Sequence, residues 1–125
     1  MNTKKMRIKP FFVDKRGEIS SFFDNDINIK SVLLIKSKKN EVRANHFHKK
    51  DEHYTYLISG RMEYFYKLSN GKLKKILLKN GEMVYTPRLE KHAMKFLEDS
   101  IFIAFSIRRR DRKTYELDTV REEII

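Results

Sequence analysis

A chain of 125 residues can build one hydrophobic core of useful size but not two, and its 40% apolar content, with nine Phe and six Tyr, argues against a disordered chain. No apolar run approaches the roughly 18 to 20 residues of a membrane span, the leading "MNTKKMRIKP" lacks the apolar segment of a secretory signal, and no cysteine is present for a disulfide framework, so a soluble cytoplasmic domain is expected. The formal charge of +11 attracts anions, but the basic clusters "KSKK", "KLKK" and "RRRDRK" are scattered and no nucleic-acid-binding pattern accompanies them; a small phosphorylated ligand is the expected partner, not nucleic acid and not a membrane.

Short apolar alternations separated by turn residues run through the chain, and almost nowhere does helical spacing persist over three turns. Met6 to Val13, Glu18 to Phe23 and Lys30 to Lys36 read as strands, divided by "DKRG" and "DNDI". After "SKKNE", strands are expected at "HFH" and "HYTYLIS". "RMEYFYKL" and "KLKKILLK" flank Ser69-Asn70-Gly71, and Asn-Gly between alternating segments is a strong hairpin signal. A second Asn-Gly follows at Asn80-Gly81, before "EMVYTP", "HAMKF" and "SIFIAFSI". The sum is about nine or ten short strands in an all-β sandwich or barrel spanning residues 1–125 as a single domain. Residues 108–125 are strongly charged and are expected as an extended edge or tail. The alternative there is a helix with Leu117, Val120 and Ile124 on one side.

Side chains two apart on a strand point the same way, so His46 and His48 share a face while Phe47 points opposite. His53 begins the next strand and can sit beside that pair. From it, Thr55 and Leu57 follow inward, and Tyr54 and Tyr56 face outward. His92 begins "HAMKF" and would complete a cage that uses every histidine in the chain. Imidazole donors suit zinc, iron, nickel or copper.

These spacings resemble the cupin family, small jelly-roll β-barrels whose first motif reads G-x5-H-x-H-x3,4-E-x6-G and whose second reads G-x5-P-x-G-x2-H. His46, His48 and Gly60 fall on the first, with His53 in place of its glutamate. Gly81, Pro87 and His92 fall on the second, where Leu89 replaces the inner glycine. Glu52 is also a carboxylate near His48, but the six-residue gap to Gly60 selects His53, and the pleat turns Glu52 outward. The resemblance covers residues 41–96 and implies a divalent metal, zinc foremost, held by His46, His48, His53 and His92.

"VDKRGEISSF" and "VRANHFH" are further similar to small cupins that modify nucleotide-linked sugars, the 3,5-epimerases of dTDP-4-keto sugars and the 3,4-ketoisomerases. Their Arg-Gly-x-His stretch reads here Arg43-Ala44-Asn45-His46, with alanine for glycine. "YELDTVREE" looks like the tails of cupins from surface-polysaccharide pathways. The resemblance implies an epimerase or ketoisomerase of a nucleotide-linked keto sugar. Arg43 would then contact the diphosphate, with Arg88 a second candidate for phosphate. Such chemistry needs a base beside a carbonyl and support for the enolate oxygen. A metal-bound ring nitrogen cannot also move protons, so Tyr64, Tyr66 and Glu63 are candidate acid–base groups, with Met62, Tyr64 and Tyr66 expected on the inner face. The apolar edge segment Met6 to Val13 would pair two copies into a homodimer. The alternatives are a non-catalytic metal or small-ligand binder and an iron-dependent dioxygenase-type cupin.

Overall fold

The structure, a computed structural model, describes residues 2–125. Twelve strands run in chain order as β1 (Lys4–Arg7), β2 (Pro10–Asp14), β3 (Gly17–Ser20), β4 (Ser31–Ser37), β5 (Val42–His48), β6 (His53–Ser59), β7 (Arg61–Lys67), β8 (Leu73–Lys79), β9 (Glu82–Thr86), β10 (His92–Phe96), β11 (Ser100–Ser106) and β12 (Thr119–Arg121), with one helix, α1 (Arg112–Asp118), before the last. Two five-stranded antiparallel sheets, ordered β1-β9-β6-β11-β4 and β12-β5-β10-β7-β8, form a jelly roll.

The expected strand over Met6 to Val13 is two strands. Pro10 has no N–H to donate and disfavours helical backbone at Lys9, so the chain breaks there. β1 pairs with β9, while β2 pairs only with β3 as a two-stranded arm. The Asn70-Gly71 hairpin forms as expected: β7 and β8 pair from Arg61↔Lys79 to Lys67↔Leu73, and Gly71 sits at φ +86.

Alternation divides the interior into two ends. Leu57, Met62, Tyr64, Leu78, Val84, Met94, Phe96 and Phe102 close an apolar core, and burying each large side chain is worth about 1.5 to 3 kcal/mol. Toward the other end the inward positions turn polar: Ser106, Thr55 and Thr86 are buried beside the four histidines. Parity holds as expected along β6, with His53, Thr55 and Leu57 buried and Tyr54 and Tyr56 packed outside against Phe23 and Phe22.

The tail is a short helix followed by a short edge strand, so the expected extended edge forms only after α1. Asp111 caps α1 through its Oδ1, which accepts from the Thr114 N–H at 3.1 Å. Leu117 is 68% exposed, so the helix does not bury the stripe of the helical alternative either. Instead β12 adds to the free edge of β5, setting Thr119 opposite His48 and Arg121 opposite His46. Among the described residues no helix is long and apolar enough to cross a membrane.

Candidate active site at the polar end of the barrel

The four histidines converge from three strands of two sheets. His46 and His48 end β5, His53 opens β6 and His92 opens β10, directly across from His46. Ring centroids are 4.6 Å apart for His46–His48, 4.8 Å for His46–His92, 5.2 Å for His53–His92 and 5.4 Å for His48–His53. All four are at most 5% exposed.

Two of the positioning turns carry non-glycine residues in left-handed backbone. Ala44 (φ +70) and Asn45 (φ +54) make a bulge in β5, where pairing with β10 slips between His92 and Ala93. Leu89 (φ +69) shapes the approach to His92. Ala44 and Leu89 stand where the related stretches carry glycine, as does Asn40 (φ +73) six residues before His46, so the glycine conformation is kept without the glycine. Asn45 offsets part of its strain, because its side-chain Oδ1 accepts the Ile124 N–H at 2.9 Å and anchors the end of the chain.

Burial holds every imidazole neutral. It pushes His46 down to about 2, His48 to about 3 and His92 to about 4, with neighbouring imidazoles and Arg110 adding to the effect, and it lowers His53 well below the usual value. Two tautomers follow from the hydrogen bonds. His92 donates Nδ1–H to the Glu90 carbonyl at 2.9 Å, leaving the lone pair on Nε2. The Thr119 hydroxyl donates to the Tyr115 carbonyl at 2.6 Å, so its oxygen accepts from His48 Nδ1–H at 3.3 Å, and the His48 lone pair is likewise on Nε2.

A cavity of about 340 Å³ opens beside this cluster, within the range of small-molecule sites. His46, His53 and His92 line it with Thr55, above a floor that includes Ile35, Met94 and Phe102. Arg43, Arg110, Arg121 and Tyr115 form the rest of its wall. Arg43 is fixed by Ser37 Oγ and by the Lys36 carbonyl at 3.2 Å. Arg110 binds Asp51 Oδ2 through Nε at 3.1 Å and Nη2 at 2.9 Å, and its guanidinium lies 5.2 Å from the Tyr115 ring centroid. Three guanidinium groups around one small cavity favour an anionic ligand.

His48 sits behind the cavity wall, against Asp118, whose Oδ2 is 3.9 Å from its Nδ1. Metal-binding atoms fall into two overlapping sets, His46–His48–His92 and His48–Asp51–His53, each within 4.8 Å. The buried atoms without a partner among the described residues are His46 Nδ1, His48 Nε2, Asp51 Oδ1 and His53 Nδ1. Neutral, orphaned nitrogen and carboxylate donors of this kind fit a divalent transition metal.

Other expected site residues lie elsewhere. Glu63 points out of the barrel and pairs with Lys75 Nζ at 2.8 Å, because it has the opposite parity to Met62 and Tyr64 on β7. Arg88 is exposed, pairs with Glu52, and borders a surface groove beside Lys67 and Lys91. Glu52 is turned outward as the pleat requires. Tyr64 and Tyr66 do face inward but line no part of the cavity: the Tyr64 hydroxyl is 2.6 Å from Thr86 Oγ1 and its ring stacks at 5.9 Å on His92. Asp51, Arg110, Tyr115, Asp118 and Arg121 were not picked out by sequence reasoning. Asp51 had a signal in its two-residue spacing from His53; the four tail residues had none until β12 was placed.

Searched against protein-family models and against curated proteins, the sequence has no match. Solved structures do match. A double mutant of a 3,4-ketoisomerase from Thermoanaerobacterium thermosaccharolyticum, in complex with TDP, is 25% identical with a TM-score of 0.80, over 97% of this chain and 88% of that one. The dTDP-4-dehydrorhamnose 3,5-epimerase from Sulfolobus tokodaii is 23% identical with a TM-score of 0.75, over 90% of this chain and 73% of that one. A capsular polysaccharide assembling protein from Staphylococcus aureus is 21% identical with a TM-score of 0.69, over 90% of this chain but 32% of that one. With its two facing sheets and its histidines gathered at one end, the chain has the cupin jelly-roll fold, and its structural neighbours are sugar-nucleotide 3,4-ketoisomerases and 3,5-epimerases.

Proposed function

We propose that this protein is an isomerase or epimerase of a nucleotide-linked keto sugar, in a cytoplasmic pathway of surface-polysaccharide assembly, and that it works as a homodimer. The observation that carries the reading is the cavity itself, which sets uncharged imidazoles with free lone pairs beside three arginines. Arg43 and Arg121 would hold the diphosphate, for which a planar fork of donors is suited. The sugar would then lie over His46 and His92.

The chemistry needs one C–H bond broken next to a ketone. His92 Nε2 carries its lone pair toward the site and takes the proton, and the C–H electron pair moves into the enolate. A second donor on the opposite face then protonates the same carbon, inverting it, or the former carbonyl carbon is protonated while the hydroxyl on the neighbouring carbon passes its proton to the enolate oxygen and becomes the new ketone. Arg110, held by Asp51 and Ser106, offers guanidinium donors to the enolate oxygen. Tyr115 closes the cavity from the tail. A divalent transition metal, zinc foremost and iron, nickel or copper next, belongs to this reading as a Lewis acid that would support the same oxygen.

For the dimer, the support is the β2–β3 arm, where Phe11, Val13 and Ile19 are 70%, 65% and 54% exposed, and the outer face of the edge strand β4, where Val32 and Leu34 are 60% and 64% exposed. Apolar surface of that extent on an arm and an unpaired edge calls for a partner, and a second copy supplies both.

The test of the enzymatic reading is incubation with dTDP- and UDP-linked 4-keto sugars in deuterated water, followed by mass spectrometry. Deuterium gain next to the ketone is expected with at least one sugar. Failure with every member of the panel would overturn it and leave a binding protein.

A further inference from the structure

Three of the four buried polar atoms without a partner among the described residues, His48 Nε2, Asp51 Oδ1 and His53 Nδ1, come from one stretch of six residues. Metal-binding atoms of these residues lie within 4.8 Å of one another, and the side chains are 2%, 3% and 5% exposed. We propose that a divalent transition metal is held by His48, Asp51 and His53, in place of the four-histidine cage. This rests on the keto-sugar reading above only for what the metal would do, not for where it binds.

Each donor is prepared for a cation. Thr119 fixes His48 as the Nδ1–H tautomer, so the buried Nε2 offers its lone pair. The Asp51 carboxylate is divided: Oδ2 is taken by Arg110 and Ser106, and Oδ1 has nothing. Leaving a carboxylate oxygen unpaired in a site this deeply buried is costly, and a cation at that point would offset the cost. Arg110 and Ser106 would then be the outer partners that orient a ligating carboxylate.

The backbone makes the set local. His48 ends β5 in one sheet and His53 begins β6 in the other, so the three donors bracket the turn where the chain crosses between sheets. Asp118 clamps that turn by accepting the Lys50 and Asp51 N–H groups at 2.8 Å and 3.0 Å. Such closely spaced ligands lose little loop entropy on closing around an ion.

This assignment also resolves a conflict. If His46 and His92 bound the metal, the cavity would lose both of its proton-transfer imidazoles. With the metal on His48, Asp51 and His53, those two rings stay free, and of the three ligands only His53 lines the cavity.

Zinc binding to the purified protein, measured by competition with a chromophoric chelator, tests the assignment without reading turnover. One zinc per chain is expected. Asp51→Asn should weaken it by about tenfold to a hundredfold, the size of effect seen when metal-site hydrogen bonding alone is disturbed, or by more. The double variant His46→Gln/His92→Gln should keep wild-type affinity, and its cobalt-substituted form should keep the wild-type visible spectrum. Loss of zinc in the double variant overturns the proposal, as does absence of zinc binding in the wild type. Because Asp51→Asn also removes the partner of Arg110, it can unfold the chain. In that event the double variant decides alone, retention supporting and loss refuting. Deuterium exchange into keto sugars is a separate readout, so the metal assignment and the enzymatic reading fail independently.

Discussion

Acid should unfold this protein earlier than its carboxylates alone would, with chelator present to keep metal away. Buried neutral imidazoles have folded pKa values below the 6.5 of the exposed ring: about 4 for His92, about 3 for His48 and about 2 for His46. Above pH 7 both folded and unfolded chains leave these rings uncharged, and they contribute no pH dependence. As pH falls through 6.5 the unfolded chain takes up protons that the folded chain refuses, so stability declines, and it goes on declining until each folded pKa is reached. At pH 5 each of these three rings favours the unfolded state by about 2 kcal/mol, together about 6 kcal/mol, and His53, lowered by burial in the same sense, adds to that. That is comparable to the whole stability of a domain, about 5 to 15 kcal/mol. Asp14, Glu52 and Asp111 have lowered pKa values and act only near and below the ordinary carboxylate range. Glu90, raised by burial, works in the opposite sense by gaining stability as it protonates. Urea unfolding at pH 7, 6 and 5 with EDTA measures the slope, and His92→Gln should reduce the loss between pH 7 and 5 by about 2 kcal/mol. A decline of under about 2 kcal/mol between pH 7 and 5, the share of one ring, would refute the picture of a closed neutral cluster.

Three further outcomes test other links. Gly60→Ala should destabilise by about 2 to 4 kcal/mol, since its φ of +109 disfavours a side chain and a Cβ would lie 2.7 Å from Ser100 Cβ and 2.8 Å from the Asp99 carbonyl oxygen. Gly71→Ala, at φ +86 in open space, should cost only about 1 to 2 kcal/mol in the same thermal melts, and equal losses would mean that no such close approach exists. Arg43→Ala and Arg121→Ala should each weaken TDP binding by about tenfold in calorimetry, the equivalent of about 1.4 kcal/mol, and unchanged affinity in both would remove the diphosphate from this end of the cavity. Phe11→Glu should convert a dimer to a monomer in light scattering at micromolar concentration, whereas a monomeric wild type would dispose of the arm as an interface.

Period-2 alternation carried most of the fold and much of the site. It placed His46 and His48 on one wall, sent His53, Thr55 and Leu57 inward, and turned Glu52 outward, because a strand leaves a side chain only two choices. Where alternation was broken by backbone rather than by side-chain chemistry, the reading failed. Pro10 cut one expected strand into two. The left-handed bulge at Ala44-Asn45 was not expected from alternation, although the related stretch carries glycine at Ala44 and Asn is among the few side chains that favour this backbone. Glu63 adjoins the tyrosines in sequence but has the outward parity, while Asp51, two residues before His53, lies outside any strand in the turn that Asp118 clamps.

The tail was the least legible segment, and its contribution explains why. Residues 108–125 bury little of their own; their charged side chains gain partners only after the barrel exists. Arg110 finds Asp51, Asp118 finds the turn before β6, and Thr119 finds His48, each across a separation of more than fifty residues. A sequence window cannot encode such pairings, because the tail's local pattern is satisfied equally well in water. Yet those contacts set the His48 tautomer, orient the Asp51 carboxylate and supply two of the three cavity arginines. The barrel therefore provides uncharged imidazoles, and the tail provides the fixed charge and proton positions that the proposed chemistry on an anionic sugar requires of them.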